Sequence, residues 1–139
     1  MSVRISSRCR YGLRAMLYLA LRGSGRPVPL SEIAESEGIP AAFLERILAQ
    51  LRQAGLVNAR RGVAGGYSLA RPAAAVSAAD IVTALEGPIS LLDCVHDEAA
   101  CARTDACLSR AVWCKLDEAV AGALEGVTLA DLIEEAVVR

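Results

Sequence analysis

Apolar residues near the start of the chain recur at helical spacing. Leu13, Met16, Leu17, Ala20 and Leu21 fall at i, i+3, i+4, i+7 and i+8, which predicts a helix capped by Ser6 or Ser7 and running to about Leu21. Gly23 to Pro27 then breaks the chain. Ser31 is positioned to cap a short second helix, with Glu32 and Glu35 early, where carboxylates favour the helix dipole. Gly38 suits a left-handed stop and Pro40 a first helical position. A third helix, about Ala41 to Ala54, turns Leu44, Ile47, Leu48 and Leu51 inward and ends at Gly55. Two helices joined by a three-residue turn containing Gly predict a helix-turn-helix.

Two strand-like pieces follow, Leu56 to Ala59 and Tyr67 to Ala70. Between them Arg60 and Arg61 precede Gly62, Gly65 and Gly66, a composition that predicts a flexible basic hairpin wing. Arg71 to Ala75 reads as a connector. Ser77-Ala78-Ala79-Asp80 resembles a capping box and opens a helix to Glu86 that Gly87-Pro88 stops. The stretch 93–107 lacks periodicity. Beyond it Leu108, Val112, Leu116, Ala119, Val120, Ala123 and Leu124 form a long apolar stripe closed by Gly126. Thr128-Leu129-Ala130-Asp131 is a second capping-box pattern that starts a final helix. The expected fold class is mainly α with a small β-hairpin, a winged helix-turn-helix over 1–72 and a further helical region over 73–139.

Charge divides along the same line. Residues 1–72 hold 11 Arg against 4 acids, a net +7, while residues 73–139 carry a net −8. A basic half can meet a polyanion that an acidic half would repel. Composition, at 54% apolar and 22% charged, excludes a disordered chain. No apolar run approaches the ~18 residues of a membrane span. The N-terminus lacks the apolar core and small-residue cleavage site of a signal peptide, so no membrane partner and a cytosolic location are expected.

In a helix-turn-helix the start of the second helix enters the major groove. Here it offers Ala41, Ala42, Glu45, Arg46 and Ala49, the positions off the apolar stripe. Glu45 can accept from a cytosine amino group, Arg46 can reach guanine or phosphate, and the small alanines permit close approach to thymine methyls. Arg61, with Gly62 and Gly65 around it, suits entry into a narrow minor groove. Arg8, Arg10 and Arg14 are placed for phosphate contact, which positions the protein without reading sequence. Double-stranded DNA is therefore the expected partner.

Five cysteines in a reducing compartment suggest metal or redox chemistry, not a disulfide framework. Cys94-x6-Cys101-x5-Cys107 fits neither zinc-finger nor ferredoxin spacing and suits a loop around something larger than one ion. Soft thiolates bind iron–sulfur clusters or zinc well. Three buried thiols acting as small hydrophobes are the competing reading. Asp93, Asp97, Glu98, Arg103, Thr104 and Asp105 argue against it, since they mark an exposed loop. Cys9 and Cys114 read as core residues on helices, and His96, the only histidine, falls inside the cysteine loop.

These residues together resemble the Rrf2-type regulators over nearly the whole chain. Ile5-Ser6-Ser7-Arg8 and Arg10 to Ala15 resemble the family's opening, Leu30 to Glu35 and Leu51 to Val57 its central helices, Arg61 to Ala70 its wing, and Leu85-Glu86-Gly87-Pro88 the segment before its cluster loop. The resemblance implies a winged helix-turn-helix homodimer with the long helix after the cysteine loop as main dimer contact. It implies DNA contacts from Glu45 and Arg61, and a [2Fe–2S] or [4Fe–4S] cluster on Cys94, Cys101 and Cys107. Two family positions depart. The histidine three residues after the last cysteine is Arg110 here, and the carboxylate near the start of the first helix falls at Arg10. Neither can ligate, so the fourth ligand is open among Cys9 of a partner subunit, His96, Asp105, Cys114 and a non-protein group.

The expected function is a DNA-binding regulator, a repressor, on a pseudo-palindromic operator with half-sites about one helical turn apart. Occupancy of the cysteine loop is expected to set the spacing of the two reading helices. A thiol switch or zinc site on the same DNA binder is the first alternative, and a small electron-transfer or metal-trafficking protein the second. No nucleophile–base pairing or phosphate loop points to an enzyme.

Overall fold

The computed structural model describes residues 4–23, 25–90 and 108–138. Cys94, Cys101 and Cys107, with His96 and Asp105, lie outside the described residues.

Helix α1 spans Ser7–Arg22, and the Ser6 side chain caps it by accepting the Cys9 N–H at 3.1 Å. Its buried face differs from the expected stripe. Cys9, Gly12, Ala15, Met16 and Leu19 are buried, whereas Leu21 is 54% exposed and Leu13, Leu17 and Ala20 are partly covered. Both sets have helical spacing, and packing decides between them. Gly12 and Ala15 are small enough for neighbouring helices to approach closely, while Leu17 and Leu21 line an open groove with Leu132, Ile133 and Ala136 of the last helix.

Helix α2 spans Leu30–Glu37 and is capped by Pro29, not Ser31, which is its second residue. A bridge between Val28 and Tyr67 holds the approach extended, and the Pro29 carbonyl accepts the Glu32 and Ile33 N–H groups, so the helix begins directly after the proline. Only Glu32 falls in the first turn; Glu35 lies beyond it. Gly38 ends α2 at φ 64°, and Pro40 is the N-cap of α3, Ala41–Gln53, instead of its first residue. Leu44, Ile47, Leu48 and Leu51 are all fully buried.

Strands β1 (Val57–Arg60) and β2 (Gly66–Leu69) pair antiparallel, with Val57 opposite Leu69 and Arg60 opposite Gly66. Each strand is displaced by one residue toward the wing tip relative to the expected Leu56 to Ala59 and Tyr67 to Ala70, although the Ala70 N–H still donates to the Leu56 carbonyl at 3.0 Å. Gly66 is obligatory: at φ 149° any Cβ would overlap the Val28 carbonyl.

A 3-10 turn, Ala73–Ala75, leads to α4, Ala78–Glu86. Ser77 and Asp80 form the full capping box, with bonds of 2.9 and 3.0 Å. Helix α5 spans Arg110–Glu125 and α6 spans Leu129–Val138. Thr128 and Asp131 make the second reciprocal pair, at 2.9 and 3.1 Å. Residues 76–78 and 127–129 pair across a short bridge, and Leu129 joins the core shared by α1 to α4. The apolar stripe of α5 is largely uncovered, with Val112 58% and Leu116 43% exposed, and Leu108 just before the helix is 94% exposed. Cys114 is partly exposed, not buried as its place beside Trp113 suggested.

Candidate nucleic-acid interface and the described cysteines

The inward face of α3 is wholly apolar, so its polar residues face solvent. Ala41, Ala42, Glu45, Arg46, Ala49 and Arg52 are exposed. Arg14 and Tyr11 of α1 secure the turn before α3. The Arg14 guanidinium donates to the Glu37 carbonyl, lies 3.6 Å from the Glu37 carboxylate and stands 5.9 Å over the Tyr11 ring. Tyr11 meets Phe43 of α3 edge to face at 5.6 Å.

The wing tip is open. Arg61, Gly62, Val63 and Ala64 are exposed, and the Gly65 N–H donates to the Gly62 carbonyl at 3.0 Å to close the turn. Gly62 has φ 109°, and a Cβ at Gly65 would overlap the Arg60 carbonyl, so the tip needs both glycines.

Helix α3 and the wing together form a groove of about 380 Å³ lined by Glu45, Ala49 and Arg52 from α3 and by Ala59, Arg60, Arg61 and Tyr67 from the hairpin. Glu45 and Arg61 thus share one surface. Arg60, expected as part of the basic wing, joins them, and so does Arg52, which the sequence reading did not assign to the interface. The signal for Arg52 was available, since it falls seven residues after Glu45 on the same helical face. Ala42 and Arg46 are exposed on α3 but do not line this groove. Arg8 and Arg10 also lie outside it. Arg8 Nη1 donates to the Leu85 carbonyl at 3.1 Å, and Arg10 Nη2 to Ser7 Oγ at 3.1 Å.

Of the cysteines, Cys9 is 5% exposed. Burial pushes its thiol up from the ordinary 9.0, Glu86 adds to the rise, and Ser6 and Arg8 oppose it. Cys9 lines a cleft with Ser6, Glu86, Ile89, Ser90, Val120 and Leu124, where the chain leaves α4 toward residue 91. Among the described residues no three His, Cys, Asp or Glu side chains converge on a metal position. No helix among them is long and apolar enough to cross a membrane.

Comparison with known proteins agrees with this architecture. Residues 5–135 match the Rrf2 family, described as iron-dependent transcriptional regulators. Protein rrf2 of Nitratidesulfovibrio vulgaris is 36% identical over 134 residues, 96% of this chain and 89% of that protein. The HTH-type transcriptional regulator IscR of Klebsiella pneumoniae is 35% identical over 94% of this chain and 80% of its own length. The structure of CymR, the global cysteine regulator of B. subtilis, matches with a TM-score of 0.80 at 35% identity, over 96% of this chain and 98% of that one. A helix-turn-helix carrying a basic wing, matched to the family along almost its whole length, places this chain in the Rrf2 family of transcriptional regulators.

Proposed function

We propose that the chain is a homodimeric, cytosolic repressor whose affinity for a pseudo-palindromic operator is set by the state of Cys94, Cys101 and Cys107. The carrying observation is the groove that gathers Arg52, Arg60, Arg61 and Glu45 between α3 and the wing. Three guanidiniums beside one carboxylate favour a phosphate backbone, and Glu45 gives the same surface a base-selective acceptor. Ala42 and Arg46 extend the contact along α3, Gly62 and Gly65 let the wing backbone approach, and Arg8 and Arg10 serve as flanking phosphate contacts. Subunits would join through the uncovered Val112, Trp113 and Leu116 of α5 together with Leu108 just before it, since apolar exposure of this kind calls for a partner.

Three thiolates form a soft donor set that suits an iron–sulfur cluster, and the family's description as iron-dependent supports that choice. Cys94, Cys101 and Cys107 would hold it. When bound, such a cluster supplies redox- and oxygen-sensitive chemistry. Cys9 lines the cleft beside Ile89 and Ser90, where the described chain leaves α4, while Arg110 at the start of α5 offers no ligand.

A thiol switch on the same cysteines is the second reading. It is favoured by the likeness to a cysteine regulator and by the arginines at positions 10 and 110. Anaerobic purification separates the two. Visible absorbance with stoichiometric iron and sulfide supports the cluster; colourless protein that responds to thiol oxidants supports the switch. DNA binding is tested independently by titrating Arg61→Ala against genomic fragments, where unchanged affinity contradicts the proposed interface.

A further inference from the structure

Three helices meet at Gly12. A Cβ placed there would overlap Leu85 Cδ1 of α4 and stand 3.5 Å from Ile47 Cγ2 of α3. Ile47 is 0% and Leu85 3% exposed. The missing side chain at position 12 therefore makes a notch that the α4 leucine fills, against the inner face of the helix whose outer face carries Glu45 and Arg46.

The same end of α4 is fastened by polar contacts. Arg8 donates to the Leu85 carbonyl, and Ser6 Oγ donates to the Glu86 carboxylate. Beyond Glu86 the chain turns at Gly87, with φ 83°, and runs out through Ser90. Leu85 is the last buried residue in the described chain before the cysteine-bearing stretch begins.

We infer that Leu85, seated in the Gly12 notch against Ile47, is the positioning residue that carries the state of the cysteine stretch to the DNA-reading helix. The inference rests on the sensing reading proposed above. Close-packed interiors have little slack, so they transmit displacement instead of absorbing it. A pull on residues 87–90 passes through Glu86, tied to Ser6, to Leu85, the first buried side chain it meets. With no free volume at Gly12, Leu85 moves against Ile47, and Glu45 and Arg52 move with α3. A residue that merely fills space would alter stability and would leave the response to the cysteines intact.

The test uses the full chain, reconstituted with iron and sulfide or stripped with chelator, and reads operator affinity in both states. Gly12→Ala combined with Leu85→Val moves a methyl group from α4 to α1, which conserves core volume while withdrawing α4 from α3. The expected result is a parent-like melting temperature and cluster absorbance, with the ratio of the two affinities falling to below about twofold from a parent ratio of roughly 5–150-fold. Leu85→Met should keep the parent ratio, and Leu85→Ala, which leaves the notch empty, should lose it. A parent-like ratio in both the double variant and Leu85→Ala overturns the inference. A ratio of one in the parent protein itself overturns the sensing reading and the inference together, so the two failures are told apart.

Discussion

Glu45 of α3 and Arg61 of the wing line one groove, although they belong to separate elements of opposite structural type. Their shared surface requires the hairpin to be held against the helix. Leu56 and Val57 at the foot of the hairpin share the buried core with Leu48 and Leu51 of α3, and the Val28–Tyr67 bridge ties the other strand to the lead-in of α2, with backbone bonds of 2.8 Å in both directions. Arg61→Ala should weaken operator binding by about 1–3 kcal/mol, as for removal of a good groove interaction, and Glu45→Ala should relax selectivity at one base pair per half-site. Arg52→Ala and Arg60→Ala should weaken all sequences alike and reduce the salt slope by about 0.9 for each phosphate no longer neutralised. Fluorescence anisotropy over a salt series measures all four.

The Ser77–Asp80 box starts α4, the helix that leads to the cysteine stretch. Ser77→Ala should lower stability by about 1 kcal/mol and leave operator selectivity unchanged. Thermal melts with a parallel binding titration check this.

Cys9 contributes a dependence on alkaline pH. Its folded-state value lies above the ordinary 9.0, so the folded chain holds the thiol proton more tightly than the unfolded chain does. That stabilisation is present in full below about pH 9 and declines as pH rises through the folded value. Denaturant unfolding of parent and Cys9→Ala should therefore show a stability difference that is flat at neutral pH and shifts above pH 9. A difference constant across the whole range would contradict the burial.

The stripe on α5 should govern assembly. Leu116→Asp places a charge on a 43%-exposed apolar site and is expected to shift the chain from dimer to monomer with α1 to α4 still folded. Analytical ultracentrifugation with circular dichroism reads both.

Local chemistry made much of this fold legible in the sequence. Gly38, the two capping boxes and the apolar face of α3 are short-range signals, and the structure carries each of them. The faces of α1 and α5 were harder. On α1 two apolar sets compete at the same period, and only tertiary contact through Gly12 and Ala15 selects one of them. On α5 a continuous stripe looks the same in sequence whether its partner is the same chain or another copy. Ser31 misled because a capping side chain is visible in sequence, while the extended lead-in through Val28 and Pro29 depends on a strand nearly forty residues further on. Of the candidate site, the wing and Glu45 were legible. Arg52 was legible only through its seven-residue spacing from Glu45, which an expectation confined to the first turns of α3 passes over.

The most direct measurement is operator affinity of one anaerobic preparation before and after iron and sulfide are removed, at fixed salt. Binding that changes by roughly fivefold or more between the two states is the predicted result. Equal affinity in both, with the cluster verified in the first and absent from the second, would contradict control of the reading helices by Cys94, Cys101 and Cys107.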